Sequence, residues 1–465
     1  MSANPVGDAE RPSSASEPTL KRVMGPWLLL LFIVGDVLGT GIYALTGQVA
    51  KHVGGAVWLP FVVAFLVALM TAFSYLELVT KYPQAAGAAL YTHKAFRLHF
   101  LTFLVAFAVM CSGLTSASTA ARAFSANLEH ALGLDLAGGA GITLLGLAFM
   151  GLIGAINFRG VGESLKMNVV LTCVELTGLL IIIAIGLTAI AAGKGDVGRV
   201  LDLETAGGSG WLWPVIAATT LAFFAMVGFE DSVNMAEESK DPSRIFPKVL
   251  LAGLLITALI YVLVSISAIT LVPPDKLGEG EAPLLTVVKA GAPWFPIGIF
   301  AFITMFAVAN TALINMLMAS RLLYGMGREG VLPEAFGRVH AGRRTPYVAI
   351  AFTTLLAFAL VTFVGEIPAL GGTTALLLLC VFVVVNIAAL VLRRDPVGHE
   401  HFRTPTALPV LGALTCAFLA GPWTGRDQVQ YKIAGILMAI GVGLWLLMRL
   451  VHRGADRAQT GAGHH

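Results

Sequence analysis

Four carboxylates, Asp36, Glu175, Glu230 and Asp231, stand inside long runs of apolar residues. An ionisable group in such surroundings is costly and by default marks a functional position. Burial and a like-charged neighbour both favour the protonated form of a carboxyl, which is the property that proton exchange near neutral pH requires. The residues therefore lead us to expect a proton site formed by Asp36 and Glu175, with Glu230 linking it to the stretch that holds Asp231. The plainer alternative is that Glu230 and Asp231 brace loosened backbone and that Glu175 is a structural hydrogen-bond donor.

Three of these acids lie close to glycines. Asp36 belongs to Gly35-Asp36-Val37-Leu38-Gly39-Thr40-Gly41-Ile42-Tyr43, and Glu230 and Asp231 follow Phe224-Ala225-Met226-Val227-Gly228-Phe229. Each glycine costs a helix about 1 kcal/mol relative to alanine, so both stretches are expected to break. Unwound backbone at membrane depth is tolerated only where it lines a cavity. The competing reading of such glycines is close helix packing. Free N–H groups near Gly39, Thr40 and Gly41, at the start of a half-helix, suit a carboxylate. Free carbonyls near Phe224, Ala225 and Val227 suit an ammonium. Together the two poles match a zwitterionic α-amino acid, with Ile42, Met226 and Gly228 beside them and Phe224 as a hydrophobic lid.

The elements that must position these groups follow from composition. Of 465 residues, 57% are hydrophobic and 12% are Asp, Glu, Lys or Arg, against about 25% charged in a soluble domain. A soluble enzyme, a disordered scaffold and a basic nucleic-acid binder are thereby excluded. Windows of about 20 apolar residues, the length that spans a bilayer core, fall at 25–50, 55–80, 99–127, 139–157, 167–192 and 212–236. Six more fall at 247–272, 294–324, 347–365, 371–392, 406–424 and 431–451. The reading is an all-α integral membrane protein of 12 transmembrane helices. The interrupted first and sixth windows open two five-helix units, 24–205 and 206–395. An odd number of crossings per unit makes the units inverted, the transporter arrangement in which broken helices meet at the midplane. Residues 396–452 add two further helices.

With the N-terminus in the cytoplasm, 22 of the 30 basic residues fall on the cytoplasmic side, as the positive-inside rule requires. Both termini are thus expected there. Residues 1–23 read as a disordered tail and not a signal peptide, and 453–465 as a cytoplasmic C-tail. Cys111, Cys173, Cys380 and Cys416 lie inside apolar windows without metal spacing, and read as small buried residues.

Four stretches resemble the amino acid–polyamine–organocation (APC) superfamily of permeases. They are Gly39-Thr40-Gly41-Ile42-Tyr43, the Tyr82-Pro83-Gln84 to Tyr91 segment after helix two, Phe224 to Glu230 with Glu237 to Pro247, and Ser320-Arg321-Leu322-Leu323-Tyr324-Gly325 to Pro333. In this order and spacing the set covers about residues 24 to 450. The resemblance implies the inverted-repeat fold, alternating access and amino-acid-like substrates. It also implies that Gly39, Thr40 and Gly41 hold the substrate carboxylate and that carbonyls at Phe224, Ala225 and Val227 hold its amine. Two positions depart from the family. Where some proton-coupled members carry a buried lysine in helix five, alignment on Glu163-Ser164 and Asn168 gives Glu175, and the usually small or apolar position 36 is Asp36.

The coupling ion expected from the carboxylates is H+; sodium coupling and solute exchange fit the same residues. Helix three contributes Cys111, Ser112, Thr115, Ser116 and Ser118, all small. A cationic substrate side chain would need an acid turned inward, Asp231 or Asp36; without one, a neutral amino acid is the simpler expectation. Lys240, Asp241 and Arg244 could form gate ion pairs or simply carry the positive-inside signal. Pro242 and Pro247 mark the end of helix six and the first turn of helix seven. Arg122 reads more simply as a snorkelling surface arginine than as part of an outer gate. The partners expected are the bilayer and a small amine or amino acid, with no nucleic acid and no bound cofactor or metal. The membrane expected is the cytoplasmic one, and oligomeric state is left open. Histidines confined to helix ends, loops and tails argue against a haem or copper carrier. A non-transporting sensor is the alternative from another class.

Overall fold

A computed structural model of the chain describes residues 24–84, 87–133, 139–159, 164–203, 210–236, 239–328, 332–343 and 345–461. The tail 1–23, together with Glu237, Glu238, Glu163 and residues 462–465, lies outside the described residues. The described residues form helices and turns; their β-structure is limited to an isolated bridge between Met24 and Ser239.

The helices run α1 (Pro26–Val37), α2 (Thr40–Val53), α3 (Trp58–Lys81), α4 (Gly87–Phe96), α5 (His99–Leu132), α6 (Gly139–Arg159), α7 (Ser164–Ala191) and α8 (Leu212–Ala222). They continue as α9 (Pro242–Leu271), α10 (Pro274–Leu277), α11 (Pro283–Gly291), α12 (Ile297–Arg328), α13 (Tyr347–Phe363), α14 (Ile367–Leu392), α15 (Ala407–Ala420) and α16 (Gln428–Gly461). Among the described residues, 10 helical stretches are long and apolar enough to cross a membrane, counting 26–53 and 212–235 as one each. Two expected spans, α13 and α15, are shorter apolar helices of 17 and 14 residues. Fourteen residues rise about 21 Å, less than a bilayer core of about 30 Å. The short helices α4, α10 and α11 lie between the expected windows, and at 10, 4 and 9 residues they are too short to cross a bilayer core. α16 runs on past the expected last window through the segment read as a tail.

α9 begins at Pro242, one turn earlier than expected, and Pro247 lies inside it. Pro247 is the sixth residue of the helix and removes the single bond its amide would make to the Ser243 carbonyl one turn back. Cys111 and Cys416 are buried, whereas Cys173 and Cys380 are exposed on the outer faces of their helices. This corrects the expectation of four buried thiols: in a membrane helix an apolar exterior accepts a cysteine as readily as the interior does.

α5 packs along α12 and α14 through the centre of the bundle, and the broken pair α1/α2 contacts α7, α8 and α9. At one end of the bundle a polar staple ties α3 to the segment after α14. Glu77 receives Arg393 through both oxygens, Nε to Oε1 at 2.8 Å and an Nη2 bond to Oε2 at 2.7 Å. The Thr404 amide donates to Oε2 at 3.0 Å, and Lys81 donates to the Leu392 carbonyl at 2.5 Å.

Candidate functional site

Both expected interruptions are present. α1 stops at Val37, Leu38 closes it by donating its N–H to the Val34 carbonyl, and Gly39 (φ −45°, ψ −156°) turns the chain before α2 starts at Thr40. The first amides of α2 are left without intrahelical partners, as at any helix start. After α8 the chain tightens into a 3₁₀ turn over Phe223–Met226, extends at Val227 (φ −78°, ψ 146°), and passes Gly228 at φ 123°. A second 3₁₀ segment, Asp231–Met235, stands where a regular half-helix was expected. Glu230 Oε2 takes the Gly228 amide at 2.9 Å, so that amide does not carry the helix of α8 across the break.

The two breaks press together at the backbone. A Cβ on Gly41 would lie 2.5 Å from Ala225 Cα, and one on Gly228 would lie 2.7 Å from the Asp36 carbonyl oxygen. Only glycine permits the approach at Gly41, and only glycine adopts the Gly228 backbone without strain. The break in the first helix is held from behind by two tyrosines. Tyr261 of α9 donates to the Val37 carbonyl at 2.5 Å, and Tyr43 of α2 donates to the backbone carbonyl of Glu175 on α7 at 2.8 Å. Tyr261→Phe leaves a buried carbonyl unpaired, and is expected to cost about 1–3 kcal/mol. The check is a lower thermal unfolding midpoint for this variant, compared with little change for a phenylalanine at the partly exposed Tyr347.

Two adjoining cavities open between the breaks. The first, about 310 Å³ of empty space, is bounded by Asp36, Val37, Gly39, Thr40 and Gly41 from the first break, and by Phe224, Val227, Gly228 and Asp231 from the second. Ser116 of α5 and Asn315 of α12 complete it. The second, about 340 Å³, shares Val227, Asp231 and Asn315 with the first and adds Glu230, Ser112, Thr374 and the apolar wall Met318, Ala319 and Leu322. Gly371 of α14 lies on the Phe224 ring, where a Cβ would stand 3.3 Å from Cδ1.

Of the residues singled out in the sequence, Gly39, Thr40, Gly41, Phe224, Val227 and Gly228 line the first cavity, and so do Asp36 and Asp231. Ile42, Ala225 and Met226 are buried beside it without lining either cavity. Cys111 and Thr115 are likewise off the wall. Their neighbours Ser112 and Ser116, four residues apart on the adjacent stripe of α5, face the space instead. Thr115 hydrogen-bonds Thr374 at 2.7 Å, one layer behind. The Phe224 carbonyl already accepts the Val227 amide at 3.4 Å, leaving those of Ala225 and Val227 unused by any turn bond. Glu175 is 0% exposed, lines neither cavity, and has no hydrogen-bond partner on either carboxylate oxygen among the described residues. Asn315 and Thr311 of α12 were not anticipated. The apolar run 297–322 carries two amides, Asn310 and Asn315, and nothing in the sequence chose between them.

The expected gate residues do not form a buried network. Asp241 and Arg244 approach at 3.9 Å on an exposed turn, where such pairs contribute little. Lys240 acts through its backbone amide, which bonds the Met24 carbonyl at 3.0 Å. Arg122 overturns its surface reading. It is 8% exposed and pairs with Glu281, in the segment before α11, at 3.0 Å, with Thr143 as a second partner at 3.1 Å. Burial pushes the Glu281 carboxyl above its ordinary range, and the Arg122 guanidinium pulls it back.

Comparison with known proteins accords with this geometry. A family model described as amino acid permease matches residues 24–444. The chain is 26% identical over 425 residues to a branched-chain amino acid permease of Bacillus subtilis, covering 88% of this chain and 89% of that one. It is also 26% identical to the methylthioribose transporter of the same organism over 95% of this chain and 96% of the relative. A chloroplastic cationic amino acid transporter of Arabidopsis thaliana is 29% identical over 70% of this chain and 59% of its own length. These relatives are transporters and not enzymes. With a match over nearly its whole length and apolar helices fit to cross a membrane many times, the chain belongs to the amino acid permease family of the APC superfamily.

Proposed function

We propose that the protein is a secondary active carrier that moves an amino acid or related amine across the cytoplasmic membrane by alternating access, coupled to protons. The observation that carries this reading is the cavity enclosed by Gly39, Thr40 and Gly41 on one side and Phe224, Val227 and Gly228 on the other. In this reading the amides at the start of α2 hold the substrate carboxylate, and the Ala225 and Val227 carbonyls hold its ammonium. Phe224, seated on Gly371, closes over the apolar part. Twelve crossings, the inverted units 24–205 and 206–395, and cytoplasmic termini belong to the same proposal. The names of the relatives agree on transport but range over branched-chain amino acids, methylthioribose and cationic amino acids.

Proton coupling is assigned to Glu175, with Asp36 on the cavity side of the same break. Glu175 sits behind the first break beside Tyr43, fully buried and without hydrogen bonds to its carboxylate. A group so placed changes the local charge by one unit when it gains or loses a proton, next to the backbone that must rearrange as access alternates. The test is uptake into proteoliposomes under an imposed inward proton gradient. Wild-type protein concentrates substrate, while Glu175→Gln only equilibrates it and retains one-for-one exchange. If the variant accumulates substrate as wild type does, Glu175 is not the coupling site. If the wild type ignores the proton gradient but follows a sodium gradient, coupling is to sodium.

A further inference from the structure

The cavities present three carboxyl groups that a neutral amino acid leaves without a cationic partner. Asp36, Glu230 and Asp231 line them, and among the described residues no lysine, arginine or histidine does. Asp36 is nine-tenths buried and its Oδ2 has no hydrogen-bond partner. Glu230 spends one oxygen on the Gly228 amide. Among the described residues none of the three is in an ion pair. A zwitterion offers one charge of each sign, and both are answered by backbone at the two breaks. A substrate with one more positive charge holds one of these carboxyls ionised by pairing with it, since a buried charge is stable only when paired.

Resting on the carrier reading above, we infer that the substrate is a cationic α-amino acid whose distal ammonium or guanidinium is bound by Asp231. Asp231 stands on the shared wall of the two cavities, together with Val227 and Asn315. The head group occupies the cavity at the breaks. The side chain passes Val227 and Asn315 into the adjoining cavity, where Asp231 and Glu230 face its distal nitrogen and Met318 and Leu322 cover its methylenes. Glu230 braces the second break, and Asp36 belongs to the first. That leaves Asp231 as the acid placed for selectivity.

The test uses purified full-length protein. Thermal unfolding is recorded with lysine, arginine, leucine, putrescine or sodium chloride, and the same solutes are then offered to proteoliposomes. Lysine or arginine raises the midpoint and is taken up, and leucine at equal concentration does neither. Asp231→Asn weakens the half-saturating lysine concentration by at least about tenfold, the scale of one charge-assisted contact, and Asp231→Glu restores most of it. Leucine transported in preference to lysine would overturn the inference while leaving a working carrier. Stabilisation by putrescine alone, or by sodium alone, would overturn it as well. An Asp231→Asn protein that handles lysine as wild type does removes the assignment to Asp231. Failure of every solute to be carried strikes at the carrier reading itself.

Discussion

Gly41→Val is expected to cut substrate uptake by roughly a hundredfold, the scale on which misplacing binding groups by about 1 Å acts. The new side chain must occupy space already held by backbone: its Cβ alone would meet Ala225 Cα at 2.5 Å and Ala225 N at 2.9 Å. No rotamer relieves such a contact, so the two broken helices must separate. The amides at the start of α2 then no longer face the carbonyls of the second break across one cavity. Gly228→Ala is expected to do the same from the other side, through a 2.7 Å contact with the Asp36 carbonyl and a backbone at φ 123°. The measurement is radiolabelled uptake normalised to monodisperse protein, with Gly298→Ala, whose Cβ meets nothing within 4 Å, as the control. Wild-type uptake by Gly41→Val would mean that the breaks do not enclose the substrate.

Glu77→Ala is expected to destabilise the protein by about 1–3 kcal/mol, because it takes the charged acceptor from the partly buried Arg393 and leaves the Thr404 amide unpaired. The Glu77 side chain is 3% exposed and that of Arg393 14% exposed. Their two hydrogen bonds are joined by the Thr404 amide, which loses its acceptor in the variant. The thermal midpoint in detergent should fall by several degrees, with a smaller monodisperse fraction on extraction. Removing both charges is expected to cost less than removing one, since an apolar pair of similar volume avoids the desolvation of either ion. Glu77→Met with Arg393→Met should therefore recover much of the loss. An unchanged midpoint for Glu77→Ala would show that water or a neighbouring group satisfies Arg393 when its partner is gone.

The proposed proton site and the inferred selectivity site separate by position. Glu175 is sealed behind α1 and α2 and touches no cavity, whereas Asp231 faces both. A carrier that binds a cation and a proton at distinct acids can vary its substrate without altering its coupling. The two variants should accordingly fail differently: Glu175→Gln in concentrating power, Asp231→Asn in affinity.

What the residues determined by themselves were the properties that a short stretch of chain decides alone. Run length and charge depletion made this a multi-pass membrane protein. The glycines at 39 and 228 marked where the two helices break, because the energetic penalty is local. The carboxylates near both breaks were visible as charges in apolar runs. Tertiary structure alone decided which side of each helix faces the cavity. It chose Ser112 and Ser116 over Cys111 and Thr115, brought in Asn315 from α12, set Glu175 behind the break and gave Arg122 its partner in Glu281. The reason is physical: a helix between lipid and an equally apolar interior gains little from either rotation, so its sequence period carries no address. The address comes from partners far along the chain, and only the packed bundle brings them within reach.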